Sequence, residues 1–292
     1  MWFRTILKWI GIVLGGILAL VAVAATIVYI DIGEDLDRTF EIVGTAVEVP
    51  ESESMIEEGG RLAKLRGCNG GCHGDGSRGQ VFFELPGGSQ VVAPNVVRAA
   101  QEWPTEDFER VVRHGVRPDG TSVIIAMPSA MLYHLSDEDL GAIIAFLRSL
   151  DPGAEALPPS RINLPGRVMM AYYRHLAETL LAAEEIDHDA PRPSPVSRDP
   201  LERGEYLAKS VCSECHGPDL RGVPEFDMPD LVVAMSYPRE DFRALMRTGE
   251  ALGDREVGLM AQVAESRFSH FTDQEIDDLH AFLQTLPNQG RQ

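Results

Sequence analysis

The chain's four cysteines fall into two short clusters, each closed by a histidine, and nothing else limits the fold as much. The first reads Cys68-Asn69-Gly70-Gly71-Cys72-His73 and the second Cys212-Ser213-Glu214-Cys215-His216. No cysteine is left over, so whatever the thiols do is done around these clusters. A zinc site would have to join pairs from opposite halves of the chain. Two short-range disulfides would suit an oxidising compartment but leave the histidines without a role. A thioredoxin-like use of C-x-x-C belongs beside a βαβ pattern, and no strand-rich stretch is visible.

The clusters sit at matching places in an internal repeat. Gly60-Arg61-Leu62-Ala63 precedes one, and Gly204-Glu205-Tyr206-Leu207-Ala208 the other. Pro94-Asn95-Val96 answers to Pro229-Asp230-Leu231, and Trp103-Pro104-Thr105-Glu106-Asp107-Phe108 to Tyr237-Pro238-Arg239-Glu240-Asp241-Phe242. Arg113 and Gly115 then match Arg247 and Gly249, and a methionine follows in each copy, Met127 and Met260. Each copy closes on an amphipathic helix. Ser136 and Thr272 are its N-caps, Asp139 and Glu275 stand at capping-box spacing, and Leu140, Ile143, Ile144, Leu147 or Ile276, Leu279, Phe282, Leu283 mark its apolar face. Asp151-Pro152-Gly153 and Pro287 stop these helices.

A C-x-x-C-H run is the attachment signature of c-type haem: two thiols form thioethers and the adjacent imidazole reaches the iron. The second cluster has that spacing. The first carries one extra residue, and Gly70 with Gly71 supplies the backbone freedom to absorb it. Residues 55–150 and 201–288 each resemble a class I cytochrome c domain, and together they are similar to the family of dihaem, membrane-bound cytochromes c. That resemblance implies an all-α fold, two covalent haems c held by Cys68, Cys72, His73 and by Cys212, Cys215, His216, and methionine as the second iron ligand. Carried over by position, the ligands are Met127 and Met260, with Met131, Met246 and His270 as fallbacks. It also implies that the carbonyls of Pro94 and Pro229 orient the two imidazoles. His/Met ligation leaves no open position on the iron, so the family's expected activity is single-electron relay. A dihaem peroxidase or thiosulfate-oxidising enzyme is the enzymatic alternative, and a fixed relay subunit of a larger complex the other.

Trp9 to Ile30 is an uncharged run of 22 residues, where about 20 suffice to cross a bilayer as a helix. Arg4 and Lys8 precede it and Asp31, Glu34, Asp35 and Asp37 follow. The positive-inside bias therefore places the N-terminus in the cytoplasm and the rest in the periplasm of a bacterial inner membrane. Ala22-Val23-Ala24 resembles a signal cleavage site, but the apolar run continues past it.

The expected division is a transmembrane anchor over 1–31, a linker over 32–50, one domain over 51–150, a proline-flanked linker over 151–200 and the second domain over 201–292. A helix is expected from Arg167 to Glu185, with Val168, Tyr172, Leu176, Thr179, Leu180 and Ala183 on its packed face and its tyrosines as packing residues. Net charge is −19, which argues against nucleic acid as a partner. Residues 201–292 hold 17 acids against 9 basic residues. Asp273, Glu275, Asp277 and Asp278 on the closing helix point to a redox partner with a basic docking face.

Overall fold

The computed structural model describes residues 2–154, 157–192, 196–253, 255 and 257–287. Twelve α-helices, several short 3-10 or π turns and one β-hairpin make up its regular structure among those residues. Helix α1 (Trp2–Leu36) holds the apolar run and continues past it. Its apolar stretch is unburied, and among the described residues it is the one helix long and apolar enough to cross a membrane.

Residues 38–50 do not hang free. Thr39 bridges Thr121, and Val47 enters the first domain's core. Helix α2 (Glu53–Leu65) then leads into the first cysteine cluster. After it comes a departure from the all-helical expectation, the antiparallel pair β1 (Gln80–Leu85) and β2 (Ser89–Ala93). Pro86-Gly87-Gly88 turns the chain between them, with both glycines at positive φ. The hairpin is short and its alternation broken by an irregularity between Val81 and Phe83, which is why period-2 reading passes over it.

Helices α3 (Val96–Glu102), α4 (Thr105–His114), α5 (Ser129–Leu132) and α6 (Asp137–Ser149) complete the first domain. Ser136 caps α6 through the Asp139 N–H. Leu140, Ile143, Ile144 and Leu147 line the core together with Leu62, Val97 and Phe108.

The following segment wraps back over this domain. Arg161 pairs with Gln90 and Leu181 with Ile124, and between them lies α7 (Leu164–Ala177). The helix is shorter than expected and buries a different face. Gly166 and Met170 point inward, whereas Val168 and Tyr172 are exposed. Asn163 caps the Gly166 N–H, so the helix starts at Leu164, three residues ahead of Arg167. Met170 packs with Ile32, Leu180 and Leu181 in a small third core at the C-terminal end of α1.

The second domain repeats the first. Helices α8 (Pro200–Leu207), α9 (Ser213–His216), α10 (Arg239–Thr248), α11 (Leu259–Ser266) and α12 (Asp273–Leu283) surround a core of Leu207, Phe242, Met246, Ile276 and Leu279. Thr272 and Glu275 form the full capping box at α12. In each domain the first helix crosses the last at a glycine. A Cβ on Gly59 would collide with the carbonyl of Ala142, and one on Gly204 with that of Asp278. Gly59, not Gly60, is thus the counterpart of Gly204.

Candidate functional site

Each cysteine cluster lies where the first helix of its domain ends. In the first domain, Ala63 C=O accepts from both Cys68 N–H (2.8 Å) and Asn69 N–H (3.1 Å), and Gly67 C=O accepts from Cys72 N–H (3.0 Å). The extra residue is absorbed as the glycines predict. Gly70 stands at φ +75°, and a Cβ on Gly71 would press on Gly67 at 2.8–2.9 Å. The second cluster has no such loop. Its approach is one π-helical turn over Ala208–Cys212, followed at once by α9, and π turns of this kind are often found at functional sites.

No thiol is paired in a disulfide. Burial pushes the Cys68 thiol up to about 11 and the Cys212 thiol up to about 12. They are therefore neutral at physiological pH, the opposite of the lowered values that make a redox-active C-x-x-C.

Both histidines are held the same way. His73 Nδ1–H donates to the Pro94 carbonyl at 2.9 Å, and His216 Nδ1–H to the Pro229 carbonyl at 2.8 Å. Among the described residues neither Nε2 makes a hydrogen bond, so each imidazole has one nitrogen fixed and one available. Burial lowers the pKa of both rings, which keeps the available nitrogen unprotonated. The prolines are brought there by a turn that reading for motifs missed. Six residues after each histidine stands a glycine, Gly79 or Gly222, whose N–H donates to the histidine's own carbonyl at 2.8 Å. Each sits at positive φ, and a Cβ would meet backbone just before the Asn95 or Asp230 amide. Asn95 and Asp230, which differ in sequence, do the same work: the side chain of each caps the turn after its proline, accepting from Arg98 N–H or Val232 N–H.

Met127 and Met260 are half-buried, and each packs on the core cluster that its domain's first cysteine also touches. Their backbones differ: Met127 lies in a loop before α5, and Met260 is the second residue of α11. Met131 and Met246 are buried core residues at 2% exposure, so less free than Met127 or Met260. His270 lies in a cleft beside Arg61 and Phe146. Two unpaired thiols, an imidazole with one free nitrogen and a thioether on an apolar wall fit a covalently held haem in each domain.

The two sites are neighbours. Leu65, at the end of α2, packs into the second domain's core. Arg61 makes a bidentate pair with Glu275 (2.8 and 2.9 Å), and buried Arg66 reaches Asp139 (3.0 Å), Tyr206 (3.3 Å) and Ser210 (3.5 Å). Between the clusters lies Arg267, which motif reading also missed because it has no repeat partner. Its Nε–H donates to Leu65 C=O at 3.1 Å and its Nη1 to Glu214 at 2.7 Å, while Nη2 is buried without a partner. Its charge acts on all four cysteines, and that of Glu214 on three of them.

The closing helix of the second domain is not the free acidic face expected of it. Asp273 pairs with Arg247, Glu275 with Arg61, Asp277 with Arg239 and Arg243, and Asp278 with Arg203. The two guanidiniums hold the Asp277 carboxyl well below the usual carboxylate range. Of the four acids, Asp273 alone is largely exposed, at 75%.

Comparison with known proteins bears on both domains. Residues 201–287 match the family model described as cytochrome c, and residues 55–147 that of cytochrome c oxidase, cbb3-type, subunit III. The chain is 25% identical over 84% of its length to the alcohol dehydrogenase (quinone) cytochrome c subunit of Gluconacetobacter polyoxogenes, covering 59% of that protein. It is 24% identical to the fructose dehydrogenase cytochrome subunit of Gluconobacter japonicus, over 80% of this chain and 52% of that one. With a diheme cytochrome c-type protein of Cereibacter sphaeroides it shares 26% identity over 55% of this chain and 56% of the relative. The chain thus spans 52–59% of the length of these curated relatives.

Proposed function

We propose that this chain, whose two domains match cytochrome c family models, is a c-type cytochrome with covalently bound haem c that works as a membrane-anchored dihaem relay. It passes single electrons in a periplasmic chain, from a dehydrogenase or quinol-oxidising complex to a cytochrome or terminal oxidase. The observation that carries this reading is the duplicated site: the same imidazole-to-proline-carbonyl hydrogen bond occurs twice, next to two thiols each time.

Haem c supplies a one-electron iron couple when bound. Cys68 and Cys72, and Cys212 and Cys215, would hold the two groups covalently. His73 and His216 would each give the iron an Nε2 whose direction is set through Nδ1 by Pro94 or Pro229. Met127 and Met260 would each offer a thioether as the iron's second protein ligand, leaving no position for a substrate. The two domains keep their sites at a fixed mutual distance through Leu65, Arg61 and Arg66.

The relatives' names as dehydrogenase cytochrome subunits support a dehydrogenase as donor. Helix α1 supports attachment to the bacterial inner membrane, with both domains on the periplasmic side. With the acids of α12 engaged by arginines, the surplus negative charge that would attract a basic partner is carried elsewhere on the surface.

Protein matured with a c-type haem assembly system should gain the mass of two haems, and Cys212→Ala should leave one. In the oxidised protein the sulfur-to-iron band in the near infrared should fall by about half in Met127→Ala and in Met260→Ala, one ligand of two being lost in each. A single haem addition would overturn the dihaem reading. An unchanged band in Met127→Ala would transfer the ligand role to Met131 or a histidine.

A further inference from the structure

We infer that α7 and its exposed stripe lie in the headgroup layer of the membrane, so that the first domain is seated on the lipid surface as well as tethered to it. The inference rests on the reading of α1 as a membrane anchor. Leu164, Val168 and Tyr172 recur every four residues, which places them along one side of the helix. They are exposed at 36%, 51% and 58%. His175 ends the same stripe, and Tyr173 is exposed beside it. A helix of a water-soluble domain would normally turn such a stripe inward, whereas this one buries Gly166 and Met170 instead.

The position of α7 along α1 says what covers the stripe. Arg167 donates to the carbonyl of Tyr29 and lies 4.0 Å from the centre of its ring, and it also crowds Gly33. Arg174 pairs with Asp31 and Asp35. These partners straddle Ile30, where the apolar run ends, so α7 meets the anchor at the level where hydrocarbon gives way to headgroups. From Arg167 to Arg174 the helix advances about 10 Å, while the levels they reach on α1 differ by about 3 Å at 1.5 Å per residue. That is the pattern expected of a helix lying across the anchor more than along it, as this inference requires.

Charge makes the same point independently. In a chain with 45 acidic residues, none occurs between Glu155 and Glu178, the longest acid-free run outside the apolar N-terminal segment. That run carries Arg161, Arg167 and Arg174. Arginines with tyrosines and aliphatic residues on a short amphipathic helix are the composition of an interfacial segment, here with Arg167 and Arg174 turned to α1 and the aliphatic and tyrosine stripe left for the acyl boundary. Phe82 and Val81 on β1 are exposed as well, and β1 packs beside α7.

The test uses the full-length holoprotein in nanodiscs of mixed zwitterionic and anionic phospholipid. With the native cysteines held by haem, Val168→Cys, Tyr172→Cys and, as a control on the exposed start of α6, Glu138→Cys each add one free thiol for a nitroxide label. Labels at 168 and 172 should collide with oxygen and be shielded from a water-soluble nickel chelate, their ratio several-fold above that at 138. If the chain stays with the discs through an alkaline wash but 168 and 172 meet the chelate as freely as 138, the anchor stands and this inference fails, leaving the stripe for a protein partner. Release of the chain by the wash would overturn the anchor reading and this inference with it.

Discussion

At the scale of single residues, the electrostatics of the paired sites converge on Arg267. Its guanidinium is tied to Glu214 in one domain's cluster and to the carbonyl of Leu65 just ahead of the other's, and it is 13% exposed. A cation held in a poorly solvated position favours the reduced, less positive state of any redox centre near it. Replacing it removes that charge and leaves Glu214 without its partner, two changes of the same sign. Arg267→Gln is therefore expected to lower both midpoint potentials in a redox titration, while Arg267→Lys keeps most of the wild-type values. A shift confined to one haem would show that the arginine serves one domain only. Gly79 and Gly222 act at the same scale but through shape, since their missing side chains let the proline carbonyls reach the histidines.

At the scale of elements, the two domains depend on the same crossing. Helices α2 and α6 in one, and α8 and α12 in the other, approach so closely that Gly59 and Gly204 each face a carbonyl six residues past the opposing N-cap. The carbonyl is backbone and cannot swing aside, so an added methyl must push the helices apart. Overpacking of this kind costs roughly 1–3 kcal/mol or more. Gly59→Ala and Gly204→Ala should each lower the denaturation midpoint of the holoprotein, whereas Gly60→Ala, which faces the ring of Phe146 at 3.0 Å, should cost less because a side chain can move. Equal losses at 59 and 60 would contradict this account. The capping signals at these helices were legible beforehand, since Ser136 and Thr272 cap where their spacing to Asp139 and Glu275 says they should. The hairpin and the buried face of α7 were not, because neighbours in space decide them.

For the molecule as a whole, the tandem domains are held as one unit. Leu65 is fully buried in the core of the domain to which it does not belong. Arg61 is locked to Glu275, and the buried Arg66 to Asp139, Tyr206 and Ser210. Burial raises the pKa of Tyr206, which keeps its hydroxyl a donor to Asp139 at 2.5 Å. Wild-type holoprotein should therefore unfold calorimetrically in a single transition, α1 apart. Leu65→Ala alone removes buried contacts worth roughly 2–5 kcal/mol. Combined with Arg61→Ala, it should split the trace into two transitions, one per domain. A single transition in the double variant would mean that the domains are coupled through other contacts. The segment over 151–200 takes part in this unit. Within it Arg161 is bridged to Gln90 and Leu181 to Ile124, and His188 meets His114 at 2.8 Å.

What the sequence determined by itself is local and periodic. The cysteine spacing, the matched prolines, the caps and the apolar run each depend on residues within a few turns of one another, and duplication makes them visible by repeating them. The tertiary structure decided everything that depends on residues brought together from afar. Proline carbonyls reach histidines 13 and 21 residues earlier only because a glycine turn folds the chain back. The acids of α12 looked free because the arginines that engage them come from α2, α8 and α10. Val168 and Tyr172 matched a buried stripe by period, but period marks an apolar face without naming its cover. Packing left that face exposed near the C-terminal end of α1, and Gly166 and Met170 took the core.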